Sequence, residues 1–173
     1  MHRVYHKAIL VVLGNTGNQG GSFITHFLSL RAPPYALRDV IQDVTSSKAA
    51  SLSGRGVELG TWNYNEPASL DAVFKGASAI FSVTKYWLLY GTLMSQQQSS
   101  TNVQSKMLLV RDKEIQQNKN IVDAAAKIET LKRFIFSSLP DTEKLGGRKD
   151  SYVHQFDGNA IAEEYGKATY PEL

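Results

Sequence analysis

The sequence predicts an α/β protein with a doubly wound parallel sheet of about five strands in the order 3-2-1-4-5. Three observations predict it. A continuously apolar run, "AILVVL" at Ala8–Leu13, reads as a strand buried on both faces, as central parallel strands are. The glycine-rich turn "GNTGNQGG" follows at once and gives way to helical spacing. Strand-like and helical segments then alternate, the pattern of βαβ units with right-handed crossovers.

In order, residues 8–13 form the first strand. Phe23, Ile24, Phe27, Leu28 and Leu30 then recur at helical spacing until "APP" at 32–34 stops the helix. Residues 35–41 read as the second strand, with Arg38 and Asp39 in its middle. Ser46 and Ser47 can cap a helix through Leu52, closed by Gly54 and Gly56. "VELGTW" is a weaker third strand. Asn65 is expected to cap the next helix, with Glu66 and Pro67 in its first turn and Gly76 at its end. "SAIFSVT" at 78–84 is the fourth strand. From 86 to 105 the chain shows no sustained period and a Gln/Ser-rich centre, so a long flexible insertion is expected around 88–106. A long helix follows, with Ile115, Ile121, Val122, Ala125 and Ile128 on its apolar side. "RFIFSS" at 133–138 is the fifth strand and 158–167 a short final helix. No repeat or linker interrupts the 173 residues, which are expected to form a single domain.

Composition removes several function classes. An apolar fraction of 42% and a charged fraction of 20% are ordinary for a globular chain and exclude a disordered one. A net charge of +3, with scattered lysines and arginines, gives no argument for a nucleic-acid-binding face. Cysteine is absent, so disulfides, thiolate metal sites and cysteine nucleophiles are excluded. The apolar run after the basic N-terminus is too short for a secretory signal, and no segment approaches the length of a membrane span. A cytoplasmic protein is expected. His2 and His6 are four apart, but no third ligand stands out, so no metal site is expected. The adjacent Glu163 and Glu164 would diverge on a helix and read as a solvated face.

The glycine loop carries the functional signal. Gly14, Gly17 and Gly20 form G-x-x-G-x-x-G between a buried strand and an amphipathic helix. In such a turn the first glycine permits the bend, the second clears room for a pyrophosphate, and the third lets helix and strand pack closely. Amides at the helix start then face the phosphates, and the helix dipole favours their charge. Asn15, Thr16, Asn18 and Gln19 can add amide or hydroxyl bonds. At the end of the second strand an acidic residue would hold a ribose 2′-hydroxyl, whereas arginine would accept a 2′-phosphate. Asp43 fits the first, and equally fits a cap of the following turn; Gln42 offers no charge to a phosphate.

"GNTGNQGGSF", "VTKYW", "NIVDAAAKIETLKRFIFSSLPD" and "HQFDGNAIAEEYGKA" together resemble the NmrA-like family, atypical relatives of short-chain dehydrogenases. The resemblance spans nearly the whole chain except 88–111. It implies a Rossmann-type domain binding NADP, with NAD as the alternative, followed by a smaller substrate domain. Some members are oxidoreductases acting on small organic molecules, notably in fungal secondary metabolism; others are redox-sensing regulators that bind a transcription factor. By resemblance Gly14 through Gln19 line the pyrophosphate. Gln42, Asp43, Val44, Thr45 and Ser46 surround the adenosine ribose, and Asn63 and Tyr64 the adenine. Thr84, Lys85 and Tyr86 run beside the nicotinamide half, and Asn159 stands in the family's "FDGK" motif. Three of these depart from the usual residue: Gln42 replaces arginine, Asn63 aspartate and Asn159 lysine. The chain stops at "TYPEL", where a sixth strand would begin, so that strand and the C-terminal domain are expected to be lacking.

Hydride transfer needs an acid or base near the substrate oxygen. No lysine has a tyrosine four residues before it, so no catalytic residue is assigned by that pattern. Ser137, Ser138, Tyr152 and His154 are the available protic groups near the fifth strand. The reading is therefore an NADP-binding oxidoreductase, with a cofactor-sensing regulatory module and a truncated, inactive fragment as its rivals.

Overall fold

The computed structural model describes residues 7–15, 17–63, 66–96, 102–147 and 152–173. His2, His6, Thr16, Tyr64 and Asn65 therefore lie outside the described residues. The chain divides into two compact units, Met1–Val83 with Ala124–Ile135, and Thr84–Asp123 with Phe136–Leu173.

The first unit carries the sheet. Strands β1 (Ala8–Leu13), β2 (Tyr35–Ile41), β3 (Glu58–Thr61), β4 (Ala77–Ser82) and β5 (Arg133–Phe136) lie in the order β3-β2-β1-β4-β5. Strand β1 pairs parallel with β2 and β4, and β2 parallel with β3. This is the expected doubly wound order, with its direction reversing between β1 and β4. Strand β1 is central because Val11 and Val12 leave no side chain exposed and Leu10 and Leu13 almost none. On one face Leu10, Val12, Leu37 and Ala79 pack against Ile24 and Phe27 of α1 (Asn18–Ser29) and Leu52 of α2 (Ser47–Gly54). Phe23 stacks on Phe81 with ring centroids 4.5 Å apart, fixing α1 over β4. Ser46 caps α2 by accepting from the amide of Ala49, as the sequence led one to expect.

Arg38 explains its own place in an apolar strand. Its guanidinium donates to the carbonyls of Val73 and Lys75 at 2.8 and 2.7 Å and pairs with Glu58 at 2.9 Å. Those carbonyls end α3 (Ser69–Phe74) and have no intrahelical donor. Arg38→Met, which keeps the aliphatic stem, should lower unfolding free energy by about 2 kcal/mol in urea titrations, the scale of charge-assisted hydrogen bonds. Loss below a few tenths would mean that water serves those carbonyls equally well. Helix α3 itself is shorter than expected. It begins at Ser69 after Ala68, with Glu66 and Pro67 in the preceding turns, because the Ser69 hydroxyl bonds the carbonyl of Glu66 at 2.6 Å.

The second unit is helical. The first part of the expected insertion forms α4 (Tyr86–Gln96), residues 97–101 at its centre lie outside the described residues, and α5 (Val103–Ala126) takes in its last few residues. A stripe does exist in α4: Tyr86, Leu89, Tyr90 and Leu93 pack together with Val110 of α5. Exposed Trp87, Leu88 and Met94 hide it, since apolar residues stand on every side of the helix. Helix α7 (His154–Thr169) also starts earlier than 158, and a short α6 (Thr142–Leu145) escaped the sequence reading. Gly158 looked like a helix start but is interior. A Cβ there would stand 3.1 Å from Cγ of Arg111, so the glycine marks where α7 crosses α5. Asp157, buried in α7, accepts from the amide and hydroxyl of Thr142 at 2.9 and 2.7 Å and so anchors α6. Among the described residues no helix is long and apolar enough to cross a membrane.

Candidate functional site

In the first unit the register aligns the carboxyl ends of three strands. Leu13 pairs with Val40 and Val12 with Phe81, so the turns after β1, β2 and β4 share one edge of the sheet. That edge, at the point where the strand order reverses, is where open α/β sheets bind ligands.

The three glycines of the loop stand in different surroundings. Gly14 has φ +85°, and a Cβ there would lie 2.3 Å from the carbonyl oxygen of Val83. A Cβ on Gly20 would lie 2.5 Å from the carbonyl oxygen of Gly14, so α1 touches the loop backbone. Gly17 is another case. It is the N-cap of α1 in ordinary extended backbone, φ −88° and ψ 169°, and its nearest neighbour to a Cβ is 3.4 Å away. Neither its conformation nor its packing against the described residues requires glycine at 17. Thr16, between them, is outside the described residues.

Asn15 is buried, and its side-chain amide donates to the carboxylate of Asp39, a fully buried residue of β2. Lys48, in the first turn of α2, donates through Nζ to the carbonyl of Asn15 at 2.8 Å. The loop is thus fixed from β2 and from α2 before any ligand arrives. Sequence reading missed both partners. A signal existed for Asp39, since a carboxylate inside an apolar strand needs a donor; for Lys48 there was none. Asn18 and Gln19 open α1, with Asn18 exposed.

The segment expected around a ribose, Gln42, Asp43, Val44, Thr45 and Ser46, forms the β2–α2 turn, and its first four residues are exposed. Asp43 Oδ1 accepts from the amide and the hydroxyl of Thr45 at 2.8 and 2.6 Å. The Thr45 hydroxyl first, then its amide, holds the Asp43 carboxyl below the usual range. The turn-forming role of Asp43 is therefore seen directly. Asn63, past β3, is exposed, and its backbone carbonyl accepts from the amide of Glu66 at 2.9 Å. Tyr64 is outside the described residues.

A cavity of about 550 Å³ lies between α1 and α2. It begins at Asn15, Gly17 and Asn18 and runs to Arg55, with Ile24 and Leu52 as its apolar floor.

Thr84, Lys85, Tyr86 and Asn159 belong to the second unit. The Thr84 hydroxyl donates to Glu114 Oε1 at 2.7 Å and accepts from Asn118 Nδ2 at 3.3 Å. Glu114 is 1% exposed, and burial pushes its carboxyl up to about 7, against the lowering pull of the Thr84 hydroxyl and the Tyr86 amide. Tyr86 is buried, bonds the carbonyl of Met107 at 3.1 Å, and is pushed up to about 12, first by burial and then by the Glu114 charge. Tyr86 packs edge-on against Trp87, with ring centroids 5.3 Å apart. Asn159 is buried and donates to the carbonyl of Gln155 at 2.8 Å, one turn back in α7. Glu114 and Asn118 were overlooked, although stepping back three from Ile121 or four from Val122 reaches Asn118, and four more reaches Glu114.

Tyr152 is 66% exposed, while His154 opens α7 and is 4% exposed, with Nε2 lacking a partner among the described residues.

Against known proteins, the sequence model of the NmrA-like family matches residues 6–170. NmrA, a negative transcriptional regulator, superposes with a TM-score of 0.67 at 20% identity, over 95% of this chain and 43% of that one. The same regulator in complex with NAD gives 0.67 at 20%, over 94% and 42%. Triphenylmethane reductase from Citrobacter sp., complexed with NADP(H), gives 0.59 at 25% identity, over 92% of this chain and 45% of the reductase. The chain spans less than half the length of these proteins.

Proposed function

Because this chain belongs to the NmrA-like family, we propose that it binds a nicotinamide dinucleotide, NADP with NAD as its competitor, at the carboxyl edge of the sheet. The observation that carries the reading is Gly17. Among the described residues the fold gives reasons for glycine at 14 and 20 and none at 17, the N-cap of α1. A pyrophosphate approaching the amides at the start of α1 supplies the reason. Gly14 through Gln19 hold the phosphates on this reading, and the turn from Gln42 to Ser46, with Asn63, holds the adenosine end. Two structural neighbours carry NADP(H) and NAD in their crystals, which supports the ligand class.

When bound, such a dinucleotide donates or accepts hydride, so the activity proposed is oxidation or reduction of a small organic molecule. The chain's own part is to fix the loop through Asn15–Asp39 and Lys48–Asn15. One observation favours a second reading, a regulatory module that senses the cofactor. Tyr152 stands in solvent, His154 is buried, and the Asn159 amide is engaged within its own helix, so these groups offer no acid–base pair.

Calorimetric titration with NADPH, NADP and NAD tests the common core of both readings, and micromolar binding of at least one is expected. Oxidation of bound NADPH by carbonyl or quinone compounds then selects the oxidoreductase; binding with no turnover selects the sensor. If none of the three dinucleotides binds at millimolar concentration, both readings fall.

A further inference from the structure

Reduction of a carbonyl by hydride also needs a proton, and the turn after β4 holds a hydroxyl placed to supply one. The carbonyl of Val83 is what a Cβ on Gly14 would strike, so Val83 lies against the glycine loop. Thr84 is bonded to Val83, and consecutive Cα atoms stand about 3.8 Å apart. It is half-buried, whereas the groups behind it are sealed. Its Oγ1 stands 2.7 Å from Glu114 Oε1 and accepts from Asn118 Nδ2 at 3.3 Å. Glu114 and Asn118, one turn apart on α5, are 1% and 0% exposed. Among the described residues Glu114 has no lysine, arginine or histidine partner, and its Oε2 makes no hydrogen bond. The Thr84 hydroxyl and the Tyr86 amide favour the ionised carboxyl, but burial outweighs both and keeps it protonated up to about pH 7. To fix the turn, a neutral amide would serve without the cost of burying a carboxylate. What a carboxylic acid adds is a proton that can leave.

We infer, resting on the dinucleotide reading above, that Thr84 is the proton donor in reduction of an aldehyde or ketone, and that Glu114 reloads it. The carbonyl carbon accepts hydride from NADPH, the C=O π pair moves to the oxygen, and that oxygen takes the Thr84 hydroxyl proton. The Glu114 proton then crosses the 2.7 Å contact to Thr84 Oγ1, since a carboxylic acid can donate across it as well as accept. Alcohol, NADP and a glutamate remain, and water returns the proton to Glu114. Asn118 is a positioning residue, holding the Thr84 oxygen through its amide while the hydroxyl hydrogen turns outward.

Two measurements on the full chain test this. Without cofactor, at about pH 6, the infrared spectrum should contain a protonated-carboxyl band that Glu114→Gln removes and Thr84→Val shifts. With NADPH, turnover of benzaldehyde and acetophenone is compared across the parent, Thr84→Val, Thr84→Ser and Glu114→Gln. Thr84→Val should lower kcat about a hundredfold and Glu114→Gln about tenfold or more, while Thr84→Ser recovers most of the rate. KM and NADPH affinity should stay close to the parent values in all three. Glutamine still accepts from the Thr84 hydroxyl, so a role confined to fixing the turn predicts no loss in Glu114→Gln. Absence of the carboxyl band, or turnover that Thr84→Val and Glu114→Gln both keep, overturns the inference and leaves the dinucleotide reading standing. So does NADPH binding with both carbonyl compounds inert. Failure of NADPH, NADP and NAD to bind removes that reading, and the inference with it.

Discussion

Gly14→Ala is expected to destabilise the protein by more than about 3 kcal/mol, because two costs fall on one methyl group. The backbone at 14 has φ +85°, where an L side chain costs about 1–2 kcal/mol before any contact is counted. The new Cβ would then meet the carbonyl oxygen of Val83 at 2.3 Å and Val83 Cβ at 3.0 Å. Neither obstacle is the far end of a flexible side chain. Val83 directly follows β4, which is paired to β1, so relief requires moving one strand end against the other. Gly54→Ala is the matched control: it lies in α2, and a Cβ there meets nothing within 4 Å. Equilibrium urea unfolding should therefore show Gly54→Ala near the parent and Gly14→Ala far below it. Similar midpoints for the two would mean that the β1–α1 turn is not held as described.

Glu114→Gln is expected to flatten the pH dependence of stability between about pH 4.5 and 7. The native carboxyl is raised from 4.5 to about 7 by burial, so over that window the folded state keeps a proton that the unfolded state releases. Its contribution is present in full below pH 4.5 and is lost as pH rises through 7, a difference of about 3 kcal/mol at one pKa unit per 1.36 kcal/mol. Asp43, Asp141 and Glu163 are shifted the other way, and their contributions are lost as pH falls. They are common to parent and variant, so the difference between the two isolates Glu114. Glutamine keeps an acceptor for the Thr84 hydroxyl while carrying no charge. Unfolding at pH 5 should find the two proteins close, and at pH 8 the variant more stable by a few kcal/mol. Parallel pH curves would place the Glu114 carboxyl in solvent.

What could be read in advance follows from range along the chain. The β1–loop–α1 unit was legible because its signals are local: an apolar run, glycines at fixed offsets and a helical period, all within 8–30. The strand order followed from parallel crossovers once the elements were found. The bonds that brace the loop were not legible, because Asn15 meets Asp39 across 24 residues and Lys48 across 33. Helix α4 was lost for the opposite reason: its surroundings are so apolar that the buried stripe has no contrast. Glu114 and Asn118 lie in register with the apolar face of α5 but are polar, and a pattern search for apolar residues passes over them. Gly17 could be recognised as part of a motif from sequence, yet only the fold distinguishes it from Gly14 and Gly20, which the protein needs for its own packing.

The account rests on Gly17 being bare for the sake of a ligand, and Gly17→Val tests that most directly. Valine accepts the extended backbone found there, and an unfavourable N-cap costs only about 1 kcal/mol, so the melting temperature should fall by a few degrees. Titration of this variant with NADPH, NADP and NAD should show affinity for the best parent ligand reduced at least a hundredfold. A variant that stays folded and binds that dinucleotide as tightly as the parent would contradict the account.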